Sequence, residues 1–150
     1  MSSLIRLPLI IAAIVVVARV LLEQTGAPSG INQIFGVAWL YFLVPIYFGM
    51  NLAAADHPYK ALFKTLLCFV AYTRLMVMAT YMAAYQLNWT APRFSLEGGG
   101  VVGEDVSALK GLLVIPVRNL LIWIVIGTLV GMIIGSVVVA IKRRGAAAPA

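Results

Sequence analysis

Residues 112–141 read LLVIPVRNLLIWIVIGTLVGMIIGSVVVAI, a run with a single charge, Arg118. The hydrocarbon core of a bilayer is about 30 Å thick and takes roughly 20 helical residues to cross. This stretch is long enough. It shows none of the alternation of polarity that a barrel strand needs, and unpaired backbone is costly in lipid, so it predicts a membrane-spanning helix. Three further stretches meet the same test, at about 4–22, 34–55 and 62–87. Turn chemistry separates them: Gly26, Pro28, Ser29 and Gly30, then Asp56, His57 and Pro58. The last break is longer, about 88–111, and holds Pro92 with Gly98, Gly99, Gly100 and Gly103. The expected fold is an all-α integral membrane protein, one four-helix transmembrane domain over 1–150. The first stretch is read as a span and not as a cleaved signal peptide, because it is long and Arg19 interrupts it.

Composition agrees. Of 150 residues, 63% are apolar and 11% charged, against about half and about a quarter in soluble domains. That excludes a soluble globular domain, a disordered tail and a disulfide scaffold. The net charge of +6 arises from 11 Lys and Arg against 5 Asp and Glu. The basic residues are scattered among apolar runs, so they form no patch of the kind that binds nucleic acid. Placed on four spans, they set an orientation. Arg6, Lys60, Lys64, Lys142, Arg143 and Arg144 fall on one side with Asp56. Arg93 and Lys110 fall on the other with Glu23, Glu97, Glu104 and Asp105. Basic loops stay inside, which predicts both termini cytoplasmic, the 88–111 loop extracytoplasmic, and residence in the cytoplasmic membrane.

Three arginines remain, Arg19, Arg74 and Arg118, each inside a predicted span. A charge there costs at least about 2.5 kcal/mol on insertion scales and needs a reason. Arg19 lies one turn from Glu23 and can pair with it. Arg74 is about 18 Å of helix rise from Leu62, near mid-span. No Asp or Glu occupies the middle of any span. Three arrangements can satisfy these cations. The outer loop can fold back so that Glu97, Glu104 or Asp105 caps Arg19 and Arg118. Carbonyls freed by Pro45 or Pro116, with tyrosine hydroxyls, can accept from the guanidinium groups. Or an anionic headgroup or polar cofactor edge can sit there.

Arg74, Met78, Tyr81, Tyr85 and Asn88 share one helical face. That stripe is either the bundle-facing side of an ordinary helix or the wall of a pocket for a lipid or quinone-like amphiphile. Trp39, Tyr41, Phe42, Tyr47 and Phe48 around Pro45 either line the same cavity or fill the core. On the fourth helix Gly127, Gly131 and Gly135 form G-x-x-x-G-x-x-x-G, continued in register by Trp123 and Asn119. Such a ridge lets a helix backbone approach closely, within the bundle or across to a second subunit. Arg118 lies roughly 180° from Gly127, so the two features face different neighbours.

The chain has one cysteine, Cys68, read as a small buried apolar residue, and one histidine, His57, read as a turn or helix-end residue. One His and one Cys supply no multi-ligand metal site, and no nucleophile–base pair is visible. The embedded carboxylate of proton- or sodium-coupled transport is missing too. Gly98, Gly100 and Gly103 match G-x-G-x-x-G but lie in a loop without the required βαβ unit, so they read as a flexible turn. Two functions follow as expectations. One is a non-catalytic subunit or accessory protein, meeting a partner or a second copy through the fourth helix. The other is a binding or transport module for an anionic amphiphile, working through Arg74, Tyr81, Tyr85, Arg118 and Arg19. No cofactor is required, though a bound lipid or quinone-like molecule fits the second.

Overall fold

The computed structural model describes residues 3–34 and 36–147. It is all-α, with four helical stretches long and apolar enough to cross a membrane. Helix α1 is Ser3–Gln24 and α2 is the short Ser29–Ile34. A 3-10 turn at Val37–Trp39 leads into α3, Leu40–Leu52. Helix α4 is Pro58–Leu87, and α5 is Ile115–Ala147. Helix α5 packs along α3 and α4, and α1 packs mainly on α4.

The second span departs from the expected continuous helix over 34–55. The 13 residues of α3 rise only about 20 Å, so the 3-10 turn and α2 complete that stretch. Within α2 the Asn32 amide nitrogen donates to the Ala27 carbonyl at 3.0 Å. Irregular backbone at such depth is tolerated where it is buried in protein or lines a cavity, and Val37 and Ala38 do line one.

The boundaries of α4 have local causes. His57 is its N-cap and Pro58 takes the first turn, where a missing N–H costs nothing. Asn88 ends it in the left-handed conformation, φ 50°. Before α5 the helix widens into a π-turn over Lys110–Val114. Pro116 cannot donate to the carbonyl one turn back, and the wider turn accommodates that.

The main core joins Leu9, Ala12 and Val16 of α1 to Tyr41, Val44 and Phe48 of α3 and Leu62, Leu66, Phe69 and Val70 of α4. Gly127, Gly131 and Gly135 face inward. A methyl on Gly127 would meet Val70, one on Gly131 would meet Leu66, and one on Gly135 would meet Leu62. The ridge is thus occupied within the chain and is not the face left for a second copy. Cys68, expected to be buried, is exposed on the outside of α4, as a small apolar residue can be on a lipid-facing surface.

The 88–107 segment is folded and not slack. Phe94 is fully buried, with ring centroids 5.2 Å from Tyr81 and 5.5 Å from Trp89. Its carbonyl accepts from the N–H groups of Val101 and Val102, both at 2.8 Å. Gly100 packs so tightly on the Phe94 backbone that a Cβ has no room. The glycine run therefore serves close backbone approach, correcting the flexible-turn expectation.

Candidate functional site

Three arginines from three segments line one half-enclosed cavity of about 170 Å³. Arg19 comes from α1, Arg74 from α4 and Arg93 from the folded loop, with Tyr81, Trp123 and the 3-10 turn completing the wall. A smaller void of about 40 Å³ between α4 and α5 shares Arg74, Val77, Tyr81 and Trp123 with it.

Glu23 is the one carboxylate in this group. Its side chain is only 3% exposed, and it accepts from Arg19 Nε at 3.0 Å and from Arg93 Nε at 2.7 Å. The 88–107 loop does fold back, but it brings a cation to Glu23 and not an acid to the arginines. Glu97, Glu104 and Asp105 remain exposed. The Phe94 anchor explains the delivery: burying that ring contributes about 1.5–3 kcal/mol and fixes the adjacent Arg93. The Arg93 guanidinium stacks 4.2 Å from the Phe94 ring centroid and 5.7 Å from that of Tyr81. Burial pulls Arg93 down from its ordinary value, while the charge of Glu23 and its hydrogen bond push it back up. A guanidinium stays protonated throughout.

Arg74 is satisfied differently. Its guanidinium carbon lies 4.9 Å from the Tyr41 ring centroid and 4.3 Å from that of Trp123, between two aromatic faces. Such contacts contribute about 2 kcal/mol each when desolvated, but they bring no carboxylate to the guanidinium. Arg74 Nε is buried and has no acceptor among the described residues, and the same is true of Arg93 Nη2 and the Tyr41 hydroxyl. Three guanidinium charges against one carboxylate leave a formal charge of +2 on the cavity wall.

Of the residues singled out from sequence, Arg19, Arg74 and Tyr81 are brought together here. Tyr85 is not. Its hydroxyl donates to the Val106 carbonyl at 3.2 Å, and its ring fills the space beside Gly111 that a Cβ would occupy. Arg118 is exposed on the outside of α5, lining neither void. Sequence reading missed Arg93, which it counted as an outer-side charge, because its partner Glu23 is 70 residues away. It placed Trp123 and Asn119 in the register of the glycine ridge, and both line the small void at the loop end of that ridge. The hollow of about 310 Å³ between Ala53, Ala54, Lys142 and Arg143 is larger, but its charged side chains are exposed.

The chain has no match among known family models, characterised proteins or solved structures. The geometry of the site therefore carries the functional argument.

Proposed function

We propose that this multi-pass membrane protein binds the anionic end of an amphiphile, in the cavity lined by Arg19, Arg74 and Arg93. The observation that carries this reading is the buried Arg74 Nε, which has no acceptor among the described residues. A cation at such depth without a carboxylate costs free energy, and an anion between Arg74 and Arg93 compensates its charge. A neutral quinone ring offers carbonyl acceptors but no charge, so an anionic headgroup fits better. The accessory-subunit reading keeps the folded 88–107 loop in its favour but loses the glycine ridge, which packs within the chain.

The charge asymmetry supports an orientation with the termini and Lys60, Lys64, Lys142, Arg143 and Arg144 cytoplasmic. The site then lies in the outer half of a cytoplasmic membrane, and reporter fusions at 57 and at 98 should give opposite signals. For the binding itself, the protein is purified in mild detergent and its retained lipids are measured by mass spectrometry. Arg74→Gln should keep the elution profile of a folded protein and lose the retained anionic lipid. Equal retention in the variant overturns the reading.

A further inference from the structure

Building on the anionic-amphiphile reading, we infer that the ligand's charged group is a phosphomonoester dianion. Its recognition rests on the +2 charge of the cavity and on two guanidinium groups with unpaired donors.

The argument is a match of charge and of hydrogen-bond valence. Glu23 neutralises one of three arginines and occupies the Nε donors of Arg19 and Arg93. What remains uncompensated on the cavity wall is Arg74, held between Tyr41 and Trp123, and one of the two charges of Arg19 and Arg93. A singly charged phosphodiester compensates half of the remaining charge. A phosphomonoester above its second ionisation, near pH 6, compensates all of it. Its three terminal oxygens also accept from more than one guanidinium, in the forked geometry that arginine favours with phosphate. A cavity of about 170 Å³ has room for the phosphate but not for the chains or rings attached to it. The rest of the molecule therefore lies outside the arginine cluster.

The charged and titratable groups facing the site are Arg19 and Glu23 from α1, Tyr41 from α3, Arg74 and Tyr81 from α4, and Arg93 from the loop. Among the described residues, helix α5 adds only uncharged ones, Pro116, Asn119, Leu120 and Trp123. The arginines keep their protons, so the pH dependence of binding should follow the ligand.

The full chain is placed in phosphatidylcholine nanodiscs doped with dioleoyl phosphatidate or with dioleoyl phosphatidylglycerol, and bound anionic lipid is read by native mass spectrometry. Phosphatidate should be preferred about tenfold or more at pH 8, and the preference should collapse by pH 5 as the dianion takes up a proton. Phosphatidylglycerol, singly charged across that range, controls for any effect of pH on the protein itself. Arg74→Gln should abolish phosphatidate binding, and Arg118→Gln, which alters an exposed cation, should leave it unchanged.

Equal binding of the two lipids, both lost in Arg74→Gln, overturns the dianion inference and leaves the amphiphile reading standing. Binding of inorganic phosphate with neither lipid retained supports the dianion and overturns the lipid source. Retention of both lipids by a folded Arg74→Gln protein overturns both. If that variant fails to fold, the wild-type preference and its loss between pH 8 and pH 5 decide the question alone.

Discussion

Toward the chain termini, α5 lies so close to α3 that a methyl on Gly49 would sit 2.8 Å from the Gly135 carbonyl oxygen. Toward the 88–107 loop, the side chain of Trp123 on the same helix lies over the Arg74 guanidinium and helps enclose a cavity. The first region is apolar and filled by Leu62, Leu66 and Phe69, all buried. In the second, buried nitrogen donors lack acceptors among the described residues. One half is arranged for backbone approach, which lowers the energy of the bundle alone. The other holds three guanidinium groups against one carboxylate, and the proposed anion site rests on that excess.

Substitutions can break this contrast in a graded order. The largest expected effect is at Glu23. Glu23→Gln removes the partner of both Arg19 and Arg93, leaving two cations uncompensated, and breaking a buried pair this way costs about 3–5 kcal/mol. Unfolding in detergent, followed by tryptophan fluorescence, should show it. The loop should also loosen, read as faster proteolysis between 88 and 107, since Arg93 loses its anchor on α1.

Next is the tight half. Gly49→Ala presses a methyl on backbone that cannot turn aside, and overpacking of this kind costs about 1–3 kcal/mol. Gly131→Ala, which meets the Leu66 methyl groups at 3.0 and 3.2 Å, should cost less because a leucine side chain can shift. Comparing the two tests whether the close crossing depends on backbone contact.

Arg74→Gln should change stability by about 1 kcal/mol or less. The cation–π contacts it loses are offset by removal of a buried charge that has no carboxylate partner. The same substitution should nonetheless abolish retention of anionic lipid. A stability loss as large as that of Glu23→Gln would instead make Arg74 a structural element. The smallest effect is expected from Arg118→Gln, whose side chain lies on the outside of α5. Both unfolding and lipid retention should match the wild type.

How much was legible differs between the two halves for a physical reason. Spacing along one helix reveals which residues share a face, so the Gly127, Gly131 and Gly135 ridge and the Arg74, Met78 and Tyr81 stripe were both readable. Spacing does not reveal what faces them. The ridge could meet its own chain or another, and the structure places Val70, Leu66 and Leu62 against it. Arg118 and Arg74 are equivalent by composition, each a lone cation in an apolar run, yet one is exposed and the other lies between Tyr41 and Trp123. Arg93 carried no local signal, since a basic residue after a loop proline is ordinary.

The sequence by itself determined that this is a four-span helical membrane protein, because length and apolar content are properties of each segment and the bilayer tests each one separately. It also determined that Arg74, at mid-span, would have no carboxylate at its own depth, since the span interiors contain none to offer. Only the tertiary structure decided which arginines converge. The Glu23–Arg93 pair at 2.7 Å forms because Phe94 and Gly100 fold the loop onto the end of α4. That contact depends on packing across the bundle, which no single segment encodes.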